Sequence, residues 1–153
     1  MLQQATLHTD GGRAPQFPGR ALLMRDFVDE AKGTLREVRC KLDKLETERC
    51  NTALMNDVAR EIHSLKGCAG FFDLPELLEL CDAAGACLAR IRRRPDARAA
   101  DERREMVRVA TGVMGSILQD LARERQPEAP ARAFIQRLRT GQPRRQPVAK
   151  ETS

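Results

Sequence analysis

Histidine is scarce in this chain of 153 residues: there are two, His8 and His63. Lys66 follows His63 at the spacing of one helical turn, with Gly67 directly after it and Gly70 three residues further on. A neutral imidazole has one free nitrogen lone pair, and with an ordinary pKa near ~6.5 it is mostly neutral at neutral pH. A lysine one turn away favours the neutral ring. Residues three and four apart share a helix face, so Ala59, His63, Lys66, Gly67 and Gly70 line up, with Ser64 at their edge. Two glycines inside a helix cost about 1 kcal/mol each relative to alanine, and clearance for another protein to approach the ring is a reason to keep them. Their bland alternative is close packing of one helix on another; that of His63 is a plain surface histidine.

Little else has the spacing of a chemical site. The five cysteines, Cys40, Cys50, Cys68, Cys81 and Cys87, are odd in number and form no C-x-x-C pair, a poor match to a disulfide framework or a zinc centre. No Gly-rich nucleotide loop and no Ser/His/Asp set is visible, so the expectation is a protein without cofactor, metal or ATP site, and not an enzyme by itself. His8 lies in the leader and is assigned nothing.

The elements that must hold this face are legible as apolar stripes. From about Pro18, Leu23, Phe27, Ala31, Leu35, Val38, Leu42 and Leu45 recur at helical spacing, with Gly33 a possible kink. A second helix carries Leu54 or Met55, Val58, Ile62, Leu65, Ala69 and Phe72. Asp73 is expected to cap a third, with Pro75 in its first turn and Glu76 completing a capping box; its stripe is Leu77, Leu80 or Cys81, Ala84, Leu88 and Ile91, and Arg92 to Arg94 suit its carbonyl end. A fourth, from about Ala97 to Arg125, places Met106, Ala110, Val113, Ile117 and Leu121 on one face before Pro127 and Pro130. Four such stripes joined by short links predict an all-α, antiparallel four-helix bundle over 18–125, with a flexible leader over 1–17 and a basic, disordered tail over 126–153. Phe134 to Leu138 in that tail suits a short helical turn but has too few apolar residues to dock.

Composition narrows the partners. Aromatic residues make up 3% of the chain, with no Trp or Tyr, which speaks against base-stacking readers of single strands. Of the net charge of +5, +4 comes from Gln126 to Ser153, so the bundle is nearly neutral and no nucleic-acid partner is expected. No apolar run is long enough for a membrane span and no secretory leader is visible, which predicts a cytoplasmic protein without membrane contact.

The string His63-Ser64-Leu65-Lys66-Gly67-Cys68-Ala69-Gly70-Phe71-Phe72 resembles the H-S-x-K-G-x-A-G-F-F signature of histidine phosphotransfer (HPt) domains, most of all those at the N-terminus of chemotaxis-type sensor kinases. Phe27-Val28-Asp29-Glu30-Ala31, followed by Leu35, Val38, Leu42 and Leu45-Glu46, is similar to the same subfamily and extends the resemblance over about residues 20–120. The resemblance implies a carrier in a bacterial two-component phosphorelay. His63 would accept the phosphoryl group, Lys66 would support its charge, and Ala59, Ser64, Gly67 and Gly70 would meet the partner, a response-regulator receiver domain or a sensor histidine kinase. Two departures stand out. The facing helix of the resembled subfamily has a second His and, three residues later, a Glu that bonds the active ring; here those positions are Asp82 and Gly85, leaving Asp82 as the candidate to orient His63. The residue after the two phenylalanines is usually Gly and here is Asp73. The missing carboxylate keeps open an alternative: a degenerate bundle that docks a receiver or kinase and inhibits it without carrying phosphate.

Overall fold

A computed structural model describes residues 18–93 and 96–142. Five helices run through them: α1 (Arg20–Thr47), α2 (Thr52–Phe71), α3 (Pro75–Arg93), α4 (Ala97–Ala122) and α5 (Arg132–Thr140). Helix α1 packs on α2, α2 on α3, α3 on α4 and α4 on α1, while the backbones of the diagonal pairs stay apart. That is the square section of a four-helix bundle. Because consecutive neighbours are joined by links of three or four residues, they run antiparallel. The leader 1–17, Arg94 and the chain beyond Gln142 lie outside the described residues.

Local chemistry sets the helix ends. Asn51 begins α2 by accepting a bond from the Leu54 amide at 3.0 Å, and Asp96 does the same for Arg98 at the start of α4. Helix α1 continues unbroken through Gly33. Asp73 is not the cap of α3. It follows the end of α2 with φ of +55°, while its amide donates to the Gly70 carbonyl and that of Leu74 to Ala69. This pair of bonds is a Schellman closure with Asp73 at the left-handed position, which explains why glycine is the usual residue there.

The stripes of α1, α2 and α3 are buried largely as expected, from Phe27 to Leu45, Met55 to Phe72 and Leu77 to Ile91; Leu23 is exposed. Helix α4 is turned. Its buried line is Ala100, Arg104, Val107, Ala110, Thr111, Met114, Ile117 and Leu118, while Met106, Val113 and Leu121 are only partly covered. Two polar residues on this line hid it. Arg104 is buried against Asp101, and the Thr111 hydroxyl donates to the Arg108 carbonyl at 2.6 Å, so both are satisfied inside.

The expectation of a disordered tail over 126–153 is corrected for 132–140. After a link, Arg123 to Ala131, that includes Pro127 and Pro130, α5 lies along α3 with Ile135 and Leu138 buried. Three large apolar side chains in nine residues suffice because Phe134, Ile135 and Leu138 share one face, and the buried Ala83 and Cys87 give α3 a second apolar flank. Gly141 closes α5 with φ of +64°, and any Cβ there would come within 2.7 Å of the Arg90 side chain. Arg103 Nε donates to the Gly141 carbonyl at 3.0 Å and Arg132 to Glu79 at 2.9 Å, tying both ends.

Two stability measurements check these assignments. Leu138→Ala is expected to lower the unfolding free energy in urea by about 2 kcal/mol, the low end for a buried leucine because α5 can settle into the space, whereas exposed Gln136→Ala stays within about 0.5 kcal/mol. Asp73→Gly is expected to raise stability by about 1 kcal/mol, since a left-handed residue with a Cβ is strained by roughly that amount; a decrease would contradict the closure described.

Candidate functional site

The face of interest belongs to α2. Val58, Ile62, Leu65, Ala69 and Phe72 are at most 7% exposed, so the opposite flank of the helix points to solvent. His63, Ser64, Gly67 and Gly70 are exposed on that flank, and Ala59 and Lys66 are half-buried beside them. A Cβ on Gly67 would meet nothing within 4 Å, and on Gly70 only the Leu78 side chain at 3.9 Å. Close helix packing therefore does not account for Gly67; the space above it is open.

Helix α3 forms the second wall. Lys66 Nζ donates to Asp82 Oδ1 at 2.8 Å, and Gly70 faces Leu78. Continued along two antiparallel helices, this register carries Gly85 opposite His63. A Cβ on Gly85 also meets nothing within 4 Å, so the position across from the ring is empty space. No described residue hydrogen-bonds or ion-pairs with the His63 side chain. The expectation that Asp82 orients the ring is thus not met: its carboxylate is taken up by Lys66 and, from α5, by Arg139 at 3.7 Å. Physically, one short side chain cannot reach both the ammonium at its own level and a ring one turn further along.

The electrostatics follow the same pairing. The Lys66 ammonium, with a smaller contribution from Arg139, holds the Asp82 carboxyl below its usual range despite partial burial. The carboxyl is therefore ionised at neutral pH, and the contribution of its pairing with Lys66 is lost as pH falls through that lowered value. Cys81, buried next to the pair, has its thiol pushed up to about 12 by desolvation, so it stays protonated and does not compete as a nucleophile.

Sequence reasoning missed two residues of this face. Phe71 extends the His63 and Gly67 line by helical spacing; its ring is 68% exposed and stands edge-on to Phe72, which stacks on Phe27 of α1. Arg139 was invisible because nothing in its own neighbourhood marks it. The legible signal was on α3, whose apolar positions cover too wide an arc for two neighbours.

No described helix is long and apolar enough to cross a membrane. A family model described as the Hpt domain matches residues 22–124. Neither the curated proteins nor the solved structures contain a match to the chain.

Proposed function

The chain belongs to the Hpt domain family, carriers in histidine phosphotransfer relays, and on that premise we propose that His63 is its phosphoryl acceptor. The observation that carries this is a count: the matched span 22–124 contains a single histidine. His63 stands exposed in mid-helix with a lysine one turn away and an open approach over Gly67.

The donor or recipient is the aspartate of a response-regulator receiver domain. In the loading direction a ring nitrogen lone pair attacks phosphorus, the bond from phosphorus to the aspartate oxygen breaks, and the carboxylate leaves with that electron pair. The ring keeps the proton on its other nitrogen and becomes cationic, then releases that proton to water. Lys66 supplies positive charge beside the transferred group. Ala59, Ser64, Gly67 and Gly70 give the receiver a nearly flat surface, and Phe71 adds an apolar contact at its end. The chain has no ATP site of its own in this reading; a sensor histidine kinase, in the same or another chain, supplies phosphate to the relay.

Incubation with radiolabelled phospho-receivers tests the proposal. Label is expected to move to the chain, to survive alkali but not acid, and to be abolished by His63→Gln. Gly67→Gln is expected to leave the fold intact or stabilise it by about 0.5–1 kcal/mol through helix propensity, while slowing transfer at least about tenfold by filling the approach. Transfer at the wild-type rate would remove the clearance argument.

One observation favours a second reading. The empty position across from His63 leaves the ring without a carboxylate to fix its tautomer, as in a module that binds receivers without taking phosphate. Attack on ATP held by a kinase needs a well-placed nucleophile more than attack on a reactive aspartyl phosphate does. Gly85→Glu is therefore expected to speed labelling by a kinase more than labelling by a receiver. Tight receiver binding with no labelling from any partner would favour the binding-only module.

A further inference from the structure

Helix α5 brings a second cation to the site, and the sequence motif does not contain it. Lys66 on α2 and Arg139 on α5 reach the same carboxylate from opposite sides, one on each oxygen of Asp82. Two cations sharing one anion leave the group with a surplus positive charge. Without Arg139, Lys66 and Asp82 would form a neutral pair, and a phosphoryl dianion on His63 would have to take the lysine away from it. Arg139 is not placed by chance. The buried Leu138 precedes it, Arg90 Nε donates to its carbonyl at 3.3 Å, and the Gly141 turn that follows is held by Arg103.

We propose that Arg139 is a positioning residue for phosphoryl loading: it retains Asp82 when Lys66 swings from that carboxylate to a phosphoryl group on His63. The inference rests on His63 being the acceptor and adds the element that tunes its lysine. Lys66 is flexible and only about one turn from His63, so the exchange requires side-chain rotation alone. In the loaded state Lys66 faces the phosphoryl oxygens and Asp82 keeps Arg139. In the empty state both cations hold Asp82. Half-exposed pairs are weak, so the expected effects are small multiples rather than orders of magnitude.

A double-mutant cycle on the full chain tests this with phosphoramidate as donor. The His63 ring nitrogen attacks phosphorus, the P–N bond breaks, and the leaving nitrogen takes a proton to depart as ammonia; phosphohistidine is followed by phosphorus NMR. Arg139→Gln is expected to slow loading about two- to fivefold, Arg139→Lys to restore most of the rate, and Asp82→Asn to speed it by freeing Lys66. In the Asp82→Asn background Arg139→Gln is expected to have no effect. A purely structural role for Arg139 would persist in that background, and its persistence would overturn the proposal. The Asp82 carboxyl is also titrated by carbon NMR in unphosphorylated protein, where Lys66 and Arg139 are the charged groups that face it. Arg139→Gln is expected to move its midpoint upward. An unmoved midpoint overturns the proposal whether or not His63 accepts phosphate. A moved midpoint together with failure of wild type to load, from phosphoramidate and from receivers alike, overturns the acceptor role of His63 and with it the loading role of Arg139.

Discussion

Everything at the site depends on α2 being buried along one stripe and no more. With Val58, Ile62, Leu65, Ala69 and Phe72 fixed against α1 and α3, the helix cannot rotate about its axis without pulling several side chains into water. Each such side chain is worth about 1.5–3 kcal/mol of burial, so rotation is excluded on energetic grounds. The outward direction of His63 and the bareness at Gly67 are then settled together. The same stripe sets the register with α3 that brings Asp82 to Lys66 and leaves Gly85 opposite the ring.

How much of this was legible in the sequence follows from how locally each feature is encoded. The stripes of α2 and α3 repeat at helical spacing with few polar interruptions, and their buried residues match the reading nearly position by position. Helix α4 was read about one position off because Arg104 and Thr111 look like surface residues. Each is paid for inside by a partner, Asp101 and the Arg108 carbonyl, that hydropathy alone does not register. Asp73 was read as a beginning when it is an ending: the same polar residue suits a helix N-cap and, less comfortably, a left-handed turn. Helix α5 was lost to composition, since its arginines were counted as tail charge although Arg132 and Arg139 answer Glu79 and Asp82.

The candidate site divides along the same line. His63, Lys66, Gly67 and Gly70 lie within two turns of one helix, and their neighbourhood is fixed by local geometry. Asp82 and Arg139 are joined to them only through tertiary packing, so their roles follow from which helices meet. The carboxylate expected to orient an imidazole instead engages an ammonium, because the register places it level with Lys66 and one turn short of His63.

The link that carries α5, Arg123 to Ala131, sets the thermodynamics of this arrangement. Two buried aliphatic side chains and a few polar ties would make a poor bimolecular contact, but a short tether keeps the docking segment at an effective concentration on the order of millimolar. Docking is therefore a unimolecular equilibrium, and proline at two positions of the link narrows the undocked ensemble. Elements docked through a tether belong in general to the class that can open locally, below the free energy of global unfolding. Arg139 reaches Asp82 only while α5 is docked, so the charge around that carboxylate depends on the docking of a helix fifty or more residues further along the chain.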